Sequence, residues 1–125
     1  MLDLFLVPEI AIEANGEGAA VDFGENAGRL LLLTLAITQI AEQQAIDVSE
    51  WGSADGTTWS AKPIKAFPQK FYKGVYNVLL DLSAHPDARY LKAKWTVNRW
   101  GVGDLKARFS FLVKITEQAA AAVAR

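Results

Sequence analysis

Four ionisable residues near the middle of the chain are the first candidates for chemistry: Asp47, Glu50, Asp55 and His85. The three carboxylates could offer oxygen ligands to a hard cation, but their spacing matches no calcium-binding loop. As the acid pair of a glycosidase they would need a deep cleft and a raised pKa, which the sequence does not indicate. We therefore interpret them as solvated carboxylates in turns and at strand edges.

His85, the only histidine, lies beside Pro86 in a predicted turn. No serine or cysteine nucleophile pattern accompanies it, which favours a surface turn residue over a catalytic base. Gly101 and Gly103 form a GxG pattern between two predicted strands rather than before a helix, so a phosphate-binding loop is disfavoured. The chain has no cysteine, which excludes thiol catalysis and thiolate metal sites. We expect a protein that is not an enzyme and uses no cofactor or metal.

Aromatic and apolar side chains are the other candidates for a functional surface. Trp95 falls on the core-facing side of a predicted strand and Trp59 is expected to cap the core, whereas Trp51 and Trp100 fall near loops. Exposed aromatic surface suits either stacking on a sugar or contact with another subunit, and the sequence does not separate the two. The predicted contact residues are Leu2, Leu4, Phe5, Leu6, Trp51 and Trp100.

Charge is distributed unevenly along a chain whose net charge is −1: residues 1–50 carry nine acids and one base, and residues 51–125 carry five acids and twelve bases. One explanation is that N-terminal and C-terminal strands interleave and neutralise each other. The other is that opposite ends of the folded unit attract in head-to-tail association. Because overall acidity opposes broad phosphate binding, we expect a solvated face rather than a nucleic-acid site at the basic residues Lys92, Lys94, Arg108 and Lys114.

Alternating apolar residues predict the strands. In the stretch from Leu30 to Thr38, every second residue from Leu31 to Ile37 is a large aliphatic one, and the β-branched residues in it favour a strand over a buried helix. A polar segment at 41–44 then lets the chain reverse into a second strand ending near Gly52, and Asp55-Gly56 predicts a tight turn.

Further strands are predicted on either side of this central stretch. Asn15-Gly16 predicts a hairpin between residues 9–14 and 18–23. Pro63 and Pro68 predict an irregular connection. Beyond it, period-two patterns predict strands over residues 75–82, 91–97 and 109–115.

These elements predict one all-β domain over residues 1–125, an antiparallel β-sandwich of jelly-roll type with seven to eight strands. Residues 1–8 are apolar on both faces before Pro8, which predicts either a central strand or an N-terminal arm exchanged with a neighbouring subunit. Residues 117–125 are an alanine-rich tail, too short for a stable helix unless it docks. The N-terminus lacks the features of a signal peptide or a membrane span, and the compartment stays open.

Two resemblances rest on short segments. An ordered set resembles small β-sandwich structural proteins of phage and prophage type, and it consists of Asn15–Gly24, the long strand, Gly52–Trp59, Ala88–Trp95 and Phe109–Val113. This resemblance implies a virion-associated or otherwise assembled structural protein, without enzymatic activity, whose partners are copies of itself or other structural subunits. Gly52–Trp59 followed by Arg89-Tyr90 is also similar to discoidin-like carbohydrate-binding sandwiches. That second resemblance implies a glycan as the partner.

Overall fold

The structure is a computed structural model that describes residues 3–24, 29–40, 44–99 and 108–118. Two antiparallel sheets pack as a sandwich, and a 3-10 turn over Leu82–Ala84 is the only helical segment in the described ranges. The fold class predicted from the sequence is confirmed, with three two-residue strands raising the number to nine. In chain order the strands are β1 (Asp3–Ile12), β2 (Gly16–Glu17), β3 (Val21–Asp22), β4 (Leu30–Ile40), β5 (Gln44–Ser53), β6 (Lys65–Ala66), β7 (Gly74–Asp81), β8 (Tyr90–Arg99) and β9 (Phe109–Gln118).

The pairing of the strands follows one long hairpin that folds back between β5 and β6. Moving outward from that point, β5 pairs with β6, β4 with β7, β2 and β3 with β8, and β1 with β9. Because β9 also pairs with β4, and β8 with β5, the hairpin rolls into sheets of order β1-β9-β4-β7 and β2-β8-β5-β6. This is the arrangement of a jelly roll, as predicted.

The predicted hairpin at Asn15-Gly16 is wrong, because β1 pairs with β9 while β2 and β3 pair with β8 in the other sheet. The Asn15 side chain instead accepts a hydrogen bond from the backbone N–H of Val97 at 2.7 Å. A Cβ atom at residue 16 would lie 3.1 Å from the Trp95 indole, so glycine permits close packing there. The chain thus crosses between sheets where the dipeptide suggested a turn.

The reversal predicted around residues 41–44 does not join two paired strands, because the strands on either side of it lie in different sheets. Residues 41–43 lie outside the described ranges. The inward residues of both strands meet those of β8 and β9 in one core, as the period-two pattern predicted. Fully buried core residues include Leu31, Leu33, Leu35, Ile46, Leu91, Phe109, Phe111, Val113 and Ile115.

The rolled hairpin explains the uneven charge distribution, because it brings the two halves of the chain side by side. Among the described residues, five ion pairs join them, and four use an acid of the first half and a base of the second: Asp3–Lys114, Glu13–Arg108, Glu17–Lys92 and Asp22–Arg89, with Arg29–Glu117 as the fifth. Exposed pairs of this kind contribute only about 0–1 kcal/mol each. The interleaving explanation is therefore the one that the described contacts support.

Both chain ends differ from the expectation in detail. The β1 strand is an edge strand rather than a central one, and it continues through Pro8, with register shifts between Phe5 and Val7 and between Val7 and Ile10. An edge position tolerates proline because the missing N–H faces away from the neighbouring strand. Glu117 and Gln118 belong to β9 rather than to a tail, and residues 119–125 lie outside the described ranges.

Candidate functional site

The outer surface of the four-stranded sheet carries the most exposed large aliphatic side chains in the described part of the chain. Its most exposed members are Val75 at 66%, Leu79 at 51% and Phe5 at 50%. Cross-strand neighbours share a face of a sheet, so the register adds half-buried side chains to the same surface. We call this surface the apolar face and define it by Phe5, Leu32, Ala36, Val75, Leu79 and Leu112.

The apolar face arises because successive side chains of a strand point to opposite sides of the sheet, and these strands have apolar residues at outward as well as inward positions. Leu79 lies opposite Leu32, and Val75 lies opposite Ala36. A polar row interrupts the face: Lys114, Thr34 and Asn77 lie side by side on neighbouring strands, in line with Phe5, and Thr34 Oγ1 donates to Asn77 Oδ1 at 2.7 Å. Exposed apolar side chains grouped on one side of a sheet, as Val75 and Leu79 are, are candidates for a contact with another molecule. No contact role was predicted for Val75 or Leu79, although VYNVLL has apolar residues at both alternating positions.

The predicted contact residues of the N-terminal arm separate by face. Phe5 points outward, Leu4 is half-buried against the core, and Leu6 is 2% exposed within it. Leu2 lies outside the described residues. An arm that paired with β9 of a neighbouring subunit would make the same contacts as β1 makes within its own chain, so arm exchange stays a prediction. Of the four residues, Phe5 has the exposure that a contact requires.

Trp51 lies within β5, is half-buried, and belongs to the outer surface of the five-stranded sheet. Its indole Nε1 donates to Ser49 Oγ at 3.0 Å, and Lys94 Nζ lies 4.1 Å from the ring centroid. Lys92 Nζ lies 4.4 Å from the centroid of the Trp59 ring. Cation–π contacts of this kind hold the ammonium groups against the rings. These lysines are therefore engaged by aromatic neighbours rather than freely solvated. Trp100 lies outside the described residues.

A cavity of about 320 Å³ opens at one end of the sandwich, between the loop that follows β5 and the turn before β8. Trp59, Ser60, His85 and Asp87 contribute to its walls. Its size lies at the lower end of the range for small-ligand pockets. His85 occupies the predicted turn, where its backbone N–H donates to Leu82 O at 3.0 Å. The predicted turn at His85 is present, whereas Trp59 is not among the side chains packed against the core. That these two residues share a cavity was not predicted.

The loop beside this cavity is rigidly hydrogen-bonded, as the predicted Asp55-Gly56 turn requires. Gly56 has a φ of +83°, and Asp55 Oδ1 accepts from the backbone N–H groups of Thr57 and Thr58, both at 2.8 Å. These bonds hold the pKa of the Asp55 carboxyl well below its usual value. The buried Ser53 hydroxyl accepts from Gly56 N–H at 2.9 Å. The loop therefore forms a preorganised wall for the cavity.

The three carboxylates considered for metal binding have different environments. Asp47 is exposed and accepts a hydrogen bond from Gln69 Nε2 at 3.1 Å. Glu50 is 0% exposed, and its two carboxylate oxygens accept no hydrogen bond from the described residues. Desolvation raises the pKa of Glu50 well above its usual value, and the attraction of Lys65 offsets this only partly. The interpretation of Glu50 as a solvated carboxylate is wrong.

Two features of the described residues bear on the remaining classes of function. No group of three or more histidine, cysteine or acidic side chains is placed to hold a metal ion there. In the same ranges, no helix has the length and apolar character needed to cross a membrane.

Comparison with known proteins adds no family to this description. No protein-family model matches the sequence, and no curated protein sequence matches it either. The phage-type and discoidin-like resemblances therefore stay hypotheses carried by their short segments.

Proposed function

We propose that this protein is a non-enzymatic structural subunit that works by assembling with copies of itself or with other structural subunits, as in a virion or a similar particle. The observation that carries the proposal is the apolar face, whose most exposed side chains, Val75, Leu79 and Phe5, are 50–66% exposed. Covering such side chains on association releases roughly 25 cal/mol for each Å² of apolar surface removed from water. A subunit contact is the use that this surface suits best.

The architecture agrees with this proposal at the level of analogy. Jelly rolls occur in viral capsid proteins, and also in lectin domains and cupins. A fold of this kind hosts many functions, so the argument depends on the surface rather than on the topology. The phage-type resemblance points in the same direction.

Substituting the apolar face tests the proposal. We expect the wild-type protein to form oligomers or larger particles, measured by light scattering and electron microscopy. A Phe5→Ser/Leu79→Ser variant is expected to associate more than about tenfold more weakly, because each half-exposed side chain contributes on the order of 1 kcal/mol per subunit. Asp47→Ser, on the outer surface of the other sheet, is the matched control and should associate like the wild type.

A wild-type protein that stays a monodisperse monomer at high concentration would contradict the proposal. Deleting residues 1–7 is a poorer test, because Leu6 and Val7 belong to the core and their loss would unfold the sandwich. Phe5→Ser changes the surface and leaves that core intact.

A second candidate, carbohydrate binding, is favoured by the cavity beside Trp59. Sugar sites commonly combine an aromatic ring with a few converging polar groups, and Ser60, His85 and Asp87 supply the latter here. The two segments of the discoidin-like resemblance also meet at this end of the sandwich, where Arg89 N–H donates to Ser53 O at 2.8 Å. The cavity, rather than Trp51, is the place where a glycan would bind.

Glycan binding predicts retention on a column of immobilised oligosaccharides. Asp87→Ala and Trp59→Ala are each expected to weaken that retention about 5- to 30-fold, because each removes a contact worth roughly 1–2 kcal/mol. Trp51→Ala, on the outer surface of the same sheet, serves as the control and should be retained normally. Equal loss in all three variants, or no retention of the wild type, would rule this candidate out.

A further inference from the structure

The β7 strand is the one long, regular and unprotected sheet edge in the described ranges. All eight of its residues pair with β4 without a register shift, and it is the last strand of its sheet. From Gly74 to Leu80 it has no proline and no charged residue. Sheet edges of this kind leave backbone N–H and C=O groups available to another strand, and natural proteins usually protect them.

The other edges of the sandwich show the usual protection. The β1 edge has Pro8, two register shifts and acidic residues such as Glu9. The β2, β3 and β6 strands have only two residues each, and Pro63 and Pro68 flank β6. The contrast with β7 is what singles it out as a pairing site.

We propose that β7 pairs with β7 of a second copy of this chain, antiparallel about a two-fold axis, so that two four-stranded sheets join into one. This inference rests on the proposed function and names the partner and one contact, which involves Val75 and Leu79 of the apolar face but not Phe5 on the opposite edge strand. An antiparallel pair of identical strands satisfies two-fold symmetry by itself. If one residue of the first copy lies opposite a second residue of the other copy, the same two residues also face each other with the copies exchanged.

One register of this pair is complementary in both shape and charge. With Asn77 on the two-fold axis, Val75 lies opposite Leu79 of the second copy, and these are two of the most exposed apolar side chains. Lys73 directly precedes β7, and the same register brings it near Asp81, the last residue of the strand, in the second copy, once at each end of the pair. Asp81 stays ionised because Ser83 donates to its Oδ1 from both N–H, at 2.9 Å, and Oγ, at 2.6 Å. Lys73 forms no ion pair with the described residues of its own chain, so it has no competing partner there.

Single cysteines test both the contact and its register, since the natural chain has none. Asn77→Cys is expected to form a disulfide-linked dimer on mild oxidation, because the two residues face each other across the axis. Val75→Cys and Leu79→Cys are the matched controls. In this register Val75 lies about 13 Å along the strand from Val75 of the second copy, and the same holds for Leu79. A disulfide cannot span that distance. The Val75→Cys/Leu79→Cys double variant should be crosslinked again.

Charge reversal provides a second measurement that leaves the strand itself unchanged. Lys73→Glu is expected to weaken dimerisation at least about fivefold, because it replaces an attraction by a repulsion at both ends of the pair. Lys62→Glu makes the same charge change at an exposed site in the connection before β6, and should not weaken dimerisation. Equal effects of the two reversals would overturn the register.

The outcomes separate this inference from the proposed function. If the wild-type protein associates in light scattering while Asn77→Cys gives no crosslinked dimer, the β7 contact is wrong and the structural role stands. If the wild-type protein stays monomeric, both are wrong. Crosslinking of Val75→Cys alone would show a contact through the apolar face without strand pairing.

Discussion

Replacing Phe111 by alanine is expected to lower the free energy of unfolding by about 3–5 kcal/mol, the usual cost of removing a fully buried phenylalanine. Phe111 is 0% exposed in β9. Its ring meets the Trp95 ring of β8 edge to face, with centroids 5.3 Å apart and planes at 75°. Since β8 and β9 belong to different sheets, this contact joins the two layers of the sandwich. Chemical denaturation followed by tryptophan fluorescence measures the loss.

The adjacent Leu112 provides the control, because it lies on the same strand and faces outward. Leu112→Ala is expected to cost less than about 1.5 kcal/mol, as it removes a half-buried side chain without leaving an internal cavity. Similar losses for the two variants would contradict the assignment of inward and outward faces in β9, and with it the packing of the sandwich.

Replacing Glu50 is expected to stabilise the protein at neutral pH, which is unusual for a buried position. The carboxyl group is fully buried and accepts no hydrogen bond from the described residues, so its ionised form is poorly solvated. Glu50→Leu keeps a similar volume and removes the polar group. We expect it to raise the free energy of unfolding at pH 7 by roughly 1–4 kcal/mol, the range found when buried ion pairs are replaced by well-packed apolar residues.

The pH dependence of Glu50 has a definite sign. In the unfolded chain its carboxyl titrates near the ordinary pKa of 4.5, and in the folded protein that pKa is raised. Between the two values the folded state binds more protons, so stability is greatest below about pH 4.5 and falls as the pH rises through the folded pKa. Glu50→Gln should remove this part of the profile, so that it gains on the wild type at pH 7 but not at pH 4.

Unfolding curves across this pH range measure both effects, with Asp47→Asn as the control on the same strand. Asp47 is exposed on the outer surface of β5, so this variant removes a carboxylate from the strand without changing a buried position. A Glu50→Leu variant less stable than the wild type at pH 7 would show that the ionised carboxylate is compensated within the fold. If the stability of Glu50→Gln changes with pH in the same way as that of the wild type, the pKa of Glu50 does not differ between the folded and unfolded states.

Glu50 also shows how far the sequence alone leads. The period-two pattern placed it on the same face as Ile46 and Val48, and the structure places all three in the interior. The interpretation as a solvated carboxylate followed residue type instead of pattern. The pattern was the better guide, because alternation in a strand is dictated by the pleat, whereas a single acidic residue tolerates burial when the rest of the strand requires it.

The functional surface was harder to predict for a different reason. Phe5 was a predicted contact residue and is exposed, but Leu6 beside it is a core residue. Val75 and Leu79 received no contact role, because apolar residues on both faces of a segment do not reveal which face lacks a cover. The Trp59 cavity brings together segments about 25 residues apart, which no local signal connects.

The sequence by itself determined the long strands β4, β5, β7, β8 and β9, the inward residues of β4, β8 and β9, the Asp55-Gly56 turn and the all-β class, because side-chain alternation and glycine conformation are local properties. Only the tertiary structure decided which strands pair, that Asn15-Gly16 crosses between sheets, and that β7 is left as an open edge. Alternation specifies which residues share a face but not which strand lies beside them. That choice depends on how the whole hairpin rolls to bury its apolar side chains, and therefore on contacts between residues far apart in the chain.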